Sequence, residues 1–177
     1  MPSTSEHSPQ HLAATLNARL RVHVTSVLFD QLDRACTRFS EADDALVVGY
    51  ALLDRIDQQP TFSKQLSRCW VASEYMLDSH CRNAKGFLDL LDSGDLHCHY
   101  HKPDQYLNPA IAEHPASIYQ DELSRKISHE LVDNAEDDLL VILRRYRQRE
   151  MQRIVWRDLN RLSSMQETTL DLSLIHI

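Results

Sequence analysis

Glycine is scarce in this sequence of 177 residues. The only glycines are Gly49, Gly86 and Gly94, and no Asn-Gly or Asp-Gly pair is present to form a tight β-hairpin turn. Alternating runs of Val, Ile and Thr, which are typical of strands, are also few. The sequence therefore predicts an all-α fold, a helical bundle.

Closely spaced cysteines and long apolar runs are also lacking. Cys36, Cys69, Cys81 and Cys98 form no Cys-x-x-Cys pair and follow no signal peptide, so we expect a cytoplasmic protein. No apolar run approaches the roughly 18 to 20 residues that cross a bilayer, which predicts no membrane partner. The net charge of -7 argues against nonspecific nucleic-acid binding, because such binding depends on neutralising phosphates. A protein partner is favoured.

Composition divides the chain into four parts. Residues 1–10 contain Pro, Ser and Thr and predict a disordered terminus, and residues 11–92 predict a helical region. Residues 93–116 contain Gly94 and three prolines among polar residues and predict a linker, which leaves 117–177 as a helical hairpin and the start of a further helix.

Within the helical region, periodicity and capping patterns predict three helices. An apolar stripe from Leu16 to Leu32 predicts one helix from about Gln10 to Phe39. Ser40 and Asp43 predict a capped second helix that ends before Pro60. A third is predicted from about Thr61 past Trp70. Trp70 and Trp156 are predicted to be core anchors.

A cluster of histidines invites a metal hypothesis. His97, Cys98, His99 and His101 offer imidazole and thiolate ligands, and alternate positions share one side of an extended segment. Structural zinc sites usually take ligand pairs from two segments, however, and the distant candidates His80 and Cys81 lack a supporting spacing. We expect no metal in this chain.

The stretch from Asp137 to Leu162 predicts one long amphipathic helix. It should begin near residue 134 and continue until Ser163, because no Gly or Pro follows residue 116. Ser164 and Glu167 fit a capping box that opens another helix. Apolar residues also repeat by four from Tyr119 to Leu131, which predicts a helix that packs back on the long one as a hairpin. The apolar stripe of the long helix comprises Leu139, Leu143, Tyr146, Met151, Ile154, Val155, Leu159 and Leu162.

A ridge of arginines spaced by four runs beside that stripe. One interpretation is a solvated face with weak pairs such as Glu150 with Arg153 and Asp158 with Arg161. The other is a ridge that docks onto an acidic protein surface or phosphate, because guanidinium groups match those geometries. Spacing alone leaves both open. The ridge comprises Arg145, Arg149, Arg153, Arg157 and Arg161, with Arg144 and Arg147 beside it.

The same helix resembles the one that precedes the first nucleotidyltransferase domain of glutamine synthetase adenylyltransferases. The family pattern, roughly Leu-Arg-Arg-Phe-Arg-x-Arg-x-Met-x-Arg-Ile-x-Trp-x-Asp-Leu, is followed in this chain by Glu167-Thr168 and Leu172-Ser173. The stretch from Val71 to Leu91, which contains Ser73-Glu74-Tyr75-Met76, resembles a diverged copy of the family's N-terminal Ser-Asp-Phe segment. The motif-helix residues are Arg144, Arg145, Tyr146, Arg147, Arg149, Met151, Arg153, Ile154, Trp156, Asp158 and Leu159.

The resemblance implies a fragment of the adenylyl-removing half of a bifunctional enzyme. Such an enzyme transfers AMP from ATP to a tyrosine of glutamine synthetase and removes it by phosphorolysis, using Mg²⁺, and it answers to the PII signalling protein. The nucleotidyltransferase domain itself would be absent from this chain. Accordingly the sequence has no Gly-Ser step, no Gly-x-Gly and no Asp-x-Asp. We therefore expect no catalytic or cofactor-binding residue here, and no activity from this piece alone.

The alternative is a non-catalytic, all-helical protein-interaction module. Its basic helix would bind an acidic protein or RNA. The two hypotheses differ in whether the encoding DNA continues into a nucleotidyltransferase motif after residue 177.

Overall fold

The computed structural model describes residues 8–97, Ser124 and residues 136–175. Every regular element in those ranges is a helix, which confirms the predicted all-α fold. The chain forms two compact units, an N-terminal unit of residues 1–94 and a C-terminal unit of residues 95–177. The described α-helices are α1 (Pro9–Leu20), α2 (Phe29–Ser40), α3 (Ala45–Gln58), α4 (Pro60–Ala72), α5 (Glu74–Arg82), α6 (Ala84–Asp92), α7 (Glu136–Leu159) and α8 (Met165–Leu174).

Several predictions concern residues outside those ranges. These residues are the terminus before Ser8, most of the linker at 93–116, the predicted helix over Tyr119 to Leu131 and the predicted start of the long helix near residue 134. In the described part of the chain, no helix combines the length and the apolar character needed to span a bilayer.

The prediction of one helix from Gln10 to Phe39 is wrong. The chain leaves the helix after Leu20, makes two 3-10 turns at Arg21–His23 and Ser26–Leu28, and is extended at Val24 with φ -120° and ψ 141°. Residues 22–27 include three valines and a threonine, whose β-branched side chains lose rotamer freedom in a helix. The break folds α2 back against α1, so that the leucines of both helices can share one core.

The predicted capping of the next helix by Ser40 and Asp43 is also wrong. The hydroxyl of Ser40 donates to the carbonyl of Thr37 at 2.7 Å, inside the end of α2. Helix α3 instead follows Asp44, which adopts a left-handed conformation with φ 59°. The predicted end before Pro60 is confirmed, as is the following helix, whose first residue is Pro60.

Side-chain caps set the starts of α5 and α6. The hydroxyl of Ser73 accepts from the amide of Met76 at 3.2 Å, and Asn83 Oδ1 accepts from the amide of Gly86 at 3.0 Å. Gly49 contributes to the packing in a different way. A Cβ there would approach Leu12 Cδ2 to 2.5 Å, so its absence lets α1 and α3 pack closely.

The core of the N-terminal unit is mainly apolar and includes one fully buried histidine, His80. Trp70 is buried, as predicted, and its Nε1–H donates to His80 Nδ1 at 3.0 Å. The His80 ring stacks on Phe87 with 3.5 Å between centroids. Burial lowers the pKa of His80 to about 3, so the ring is neutral and carries its proton on Nε2. No described residue accepts a hydrogen bond from that nitrogen.

The described cysteines are free thiols. Cys36 and Cys69 are buried and Cys81 is half-buried. Burial, with a smaller contribution from the nearby charge of Asp33, raises the pKa of Cys36 to about 12. Cys36 therefore behaves as a small core residue and not as a nucleophile.

The C-terminal unit is built on α7 and α8. Helix α7 ends at Leu159, earlier than predicted, because Arg161 takes a left-handed conformation with φ 57°. The amide of Leu162 donates to the carbonyl of Arg157 at 2.8 Å and that of Arg161 to Asp158 at 3.0 Å, which is a Schellman C-cap. Ser164 then caps α8 through the amide of Glu167, as predicted.

Candidate functional site

Most of the histidine cluster considered above lies outside the described residues. His97 ends a short 3-10 turn, while Cys98, His99 and His101 lie outside the described residues. Among the residues that the structure does describe, no three metal-ligating side chains converge. The polar feature that stands out is a buried set of arginines and carboxylates in the C-terminal unit, here called the arginine network.

Arg153 lies at the centre of the arginine network. Its side chain is fully buried, with 0% exposed, and so is that of Glu150. Its Nε donates to Glu150 Oε2 at 2.8 Å, and its NH2 donates to Asp171 Oδ2 on α8 at 2.9 Å. One guanidinium thus joins a carboxylate of its own helix to a carboxylate of the next.

Arg157, one turn later on α7, makes a second connection to α8. Its NH2 donates to Glu167 Oε1 at 2.8 Å and to the carbonyl of Leu162 at 3.0 Å. Its NH1 lies 3.5 Å from the carbonyl of Leu96, in the segment Asp95–His97. Arg157 therefore holds α7, the turn after it and the segment at 95–97 at a single point.

Arg149 extends the network towards solvent. Its NH2 forms an ion pair with Asp95 Oδ2 at 2.8 Å, and both side chains are about one quarter exposed. Three arginines spaced by four along one side of α7 therefore each meet a carboxylate of the same unit.

The pairing across α7 and α8 follows the register of a helical hairpin. Arg157 and Glu167 are 10 residues apart, and Arg153 and Asp171 are 18 apart, so both pairs are centred on Leu162. Acidic residues four apart on α8 thereby face arginines four apart on α7. Apolar contacts accompany them, since Ile154 and Ile175 form a small core with Tyr146, Met151 and Leu172.

The arginine network is suited to positioning and not to chemistry. Its groups are guanidiniums, which stay protonated, and carboxylates that accept from them. Burying such groups does not guarantee net stability, but removing one partner leaves an uncompensated charge, at a cost of about 3 to 5 kcal/mol. The network therefore fixes how α8 lies on α7.

The other motif residues fall into two groups. Trp156 is buried, which confirms its predicted place in a core, and Ile154 is buried as well. Asp158 is exposed, and its Oδ1 accepts from the hydroxyl of Thr168 at 3.3 Å. Of the remainder, Arg144, Arg145 and Arg147 are exposed, while Tyr146, Met151 and Leu159 are half-buried.

The prediction of an arginine ridge that faces solvent or an external partner is wrong for Arg153 and Arg157, which are buried. Glu150 and Arg153 do pair as predicted, but in a buried and not a solvated setting. Sequence reasoning considered each helix alone and missed Glu167 and Asp171 as partners. The signal that could have identified them is a matching spacing. Glu167 and Asp171 are four residues apart, as are Arg153 and Arg157, and a short turn separates the two helices.

Comparison with known proteins identifies relatives over most of the chain. A bifunctional glutamine synthetase adenylyltransferase/adenylyl-removing enzyme of Nitrosococcus oceani is 32% identical over 159 residues, which cover 89% of this chain. Proteins of the same name from Pseudomonas putida and Pseudomonas aeruginosa are 30% and 28% identical over 87% and 85% of the chain. No family model matches the chain, and no solved structure matches it.

The aligned part of each relative is short compared with its whole length. The chain spans 14% of the Nitrosococcus protein and 14% of each Pseudomonas protein. The three alignments agree in the name of the relative and in the share of both chains that they cover. Over most of its length, the chain is thus related in sequence to part of the bifunctional glutamine synthetase adenylyltransferase/adenylyl-removing enzymes.

Proposed function

We propose that this chain serves as a helical scaffold in the adenylyl-removing half of a longer glutamine synthetase adenylyltransferase/adenylyl-removing enzyme. The names of the three relatives and the alignment over most of the chain support this proposal. In such an enzyme, AMP passes from ATP to a tyrosine of glutamine synthetase and is later removed by phosphate, which releases ADP. We expect the protein to act in the cytoplasm.

The residues for that chemistry would lie in another part of the longer protein. Nucleotidyl transfer of this type uses Mg²⁺ to hold the nucleotide phosphates, and paired aspartates to hold the Mg²⁺. This chain has no Asp-x-Asp pair in its sequence. ATP, Mg²⁺, glutamine synthetase and the PII protein would therefore engage the longer enzyme, while these helices support its fold.

The observation that carries the scaffold role is the burial of the motif arginines. Arg153 and Arg157 are 0% and 1% exposed and are bound by carboxylates and carbonyls of their own unit. Side chains in that position cannot contact a nucleotide or a substrate protein. They hold α7 and α8 as one element on which a neighbouring domain can be built.

One experiment tests the proposal in two steps. The reading frame that encodes this chain is sequenced beyond residue 177, and we expect a Gly-rich turn followed by Ser and by Asp-x-Asp. The longer product is then purified and incubated with adenylylated glutamine synthetase, phosphate and Mg²⁺, and released ADP is measured. We expect ADP from the longer product and none from residues 1–177 alone.

Two results would contradict the proposal. A stop codon directly after Ile177 would leave the helical interaction module as the better function. Release of ADP by residues 1–177 alone would show that this chain is itself catalytic and not only a scaffold.

A further inference from the structure

The first half of α7 has an exposed side formed by Leu140, Val141, Arg144 and Arg145, here called the α7 outer face. Leu140 is 56% exposed and Val141 is 40% exposed, and both arginines are exposed. Residues separated by one, four and five positions lie on one side of a helix, so the four side chains form a single patch. Apolar and basic groups thus stand next to each other in water.

The two arginines of the α7 outer face differ from those of the arginine network. The side chains of Arg144 and Arg145 form no ion pair or hydrogen bond with any residue that the structure describes. Arg149, Arg153 and Arg157 each meet a carboxylate. The outer face therefore has the same kind of cation as the network, but its arginines meet no carboxylate among the described residues.

Helix α8 illustrates which kind of surface can bind a patch of neighbouring apolar and basic side chains. It gives α7 two carboxylates four residues apart, and Asp171 stands one turn before Ile175, which packs against Ile154. A helix with a carboxylate one turn from an apolar side chain can therefore pack against a helix on which an arginine lies next to an apolar side chain. On the outer face Leu140 and Val141 likewise stand one turn before Arg144 and Arg145.

The charge pattern along α7 discriminates among classes of partner. Residues 136–138 read Glu-Asp-Asp, so the helix changes from acidic to basic within about two turns. A nucleic acid or an anionic bilayer is negative throughout, and the acidic turn and the net charge of -7 would repel both. A protein helix can carry carboxylates only where the arginines lie.

We propose that the α7 outer face binds an acidic amphipathic helix of a partner protein. Two carboxylates of that helix meet Arg144 and Arg145, and two apolar side chains one turn away cover Leu140 and Val141. This inference concerns a surface that the arginine network does not use, and it does not depend on the proposed enzymatic function.

The test uses a dye-labelled synthetic helical peptide as the probe, with a Leu pair one turn from a Glu pair, and the full chain as the receptor. Fluorescence anisotropy measures binding to the parent chain and to the variant Arg144→Glu/Arg145→Glu. We expect the variant to bind about tenfold more weakly, because two exposed ion pairs become repulsive. A second peptide with Lys in place of Glu should show the opposite preference.

Controls separate this surface from general charge effects. Arg34→Glu reverses an exposed arginine on α2 and should leave both affinities unchanged. Leu140→Ser/Val141→Ser should weaken both peptides, because it removes the apolar contact. Helix content measured by circular dichroism should be the same for all variants.

Three results would overturn the inference. The first is no binding of the Glu peptide at about 1 mM, and the second is equal binding by the parent chain and the double glutamate variant. The third is binding to phosphatidylglycerol vesicles or to a single-stranded oligonucleotide that the double variant loses, which would assign the surface to a different class of partner.

Discussion

The two units of this chain fill their interiors with different chemistry. In the N-terminal unit the large buried side chains are Trp70, Phe39, Phe87 and several leucines. Among the described residues of the C-terminal unit they are Trp156 and the two buried arginines of the network, Arg153 and Arg157. Both units are helical, so helix formation does not require one particular kind of core.

The two kinds of core specify the packing of their helices in different ways. Apolar contacts are non-directional, and apolar cores accept substitutions that conserve volume with a cost below about 1.5 kcal/mol. A buried guanidinium has fixed donor directions, and losing it leaves carboxylates without compensation. The N-terminal unit should therefore tolerate changes that the C-terminal unit does not.

The sharpest test of this comparison introduces methionine into each interior. We expect Arg153→Met to lower the free energy of unfolding of the C-terminal unit by about 3 to 5 kcal/mol, because Glu150 and Asp171 lose their shared cation. Leu52→Met in the N-terminal unit should cost less than about 1.5 kcal/mol.

Each unit has one tryptophan that reports on it. Urea unfolding of the C-terminal unit is followed by Trp156 fluorescence in a Trp70→Phe background, and that of the N-terminal unit by Trp70 in a Trp156→Phe background. Arg144→Met, on the exposed side of α7, should change stability by less than about 0.5 kcal/mol. The comparison fails if Arg153→Met costs no more than Leu52→Met.

A smaller effect is expected from pH in the N-terminal unit. His80 has a pKa lowered to about 3 by burial, against 6.5 for the unfolded chain. Between these values the unfolded state binds more protons, so the contribution of His80 to stability is complete above about pH 6.5 and declines as pH falls towards 3. The expected slope is about 1.4 kcal/mol for each pH unit.

The measurement compares urea unfolding from pH 7 to pH 4.5 in the parent chain and in His80→Gln. The variant should lose this part of the pH dependence, while His23→Gln, at an exposed position, should retain it. Equal slopes in the parent and His80→Gln would show that the buried histidine is not the titrating group.

The smallest effect is expected at the turn after α7. Arg161 has φ 57° at the C-cap, a conformation that glycine adopts without steric cost. Arg161→Gly should raise the stability of the C-terminal unit by about 0.5 to 1 kcal/mol. Arg161→Ala is the matched control, since alanine is strained there and should bring no gain. A gain with alanine would point to lost charge repulsion instead of relieved strain.

Local rules account for much of the helical structure. Pro60 marks the end of α3 and the start of α4, and Ser164 caps α8, because these effects act within one turn. Local rules fail at residues 21–28, where the leucine stripe suggests continuity but the chain turns so that α2 packs on α1. They fail again at Asp44 and Arg161, whose left-handed conformations are unusual for side chains other than glycine.

The candidate site likewise combines features that local sequence rules predict with features that they do not. The motif helix and the buried place of Trp156 were predictable, because periodicity and residue type are properties of one segment. The inward direction of Arg153 and Arg157 was not predictable in the same way. Whether an arginine faces water or a carboxylate depends on a second helix and on the turn that sets its register.

What the sequence by itself determined about this protein is its helical class, its relation to the adenylyltransferase family and the position of the motif on α7. What only the tertiary structure decided is which arginines are buried and which remain on the outer face. The physical reason is that helix formation is a sum of local preferences, whereas burial of a charge requires a compensating group brought close by the packing of another element.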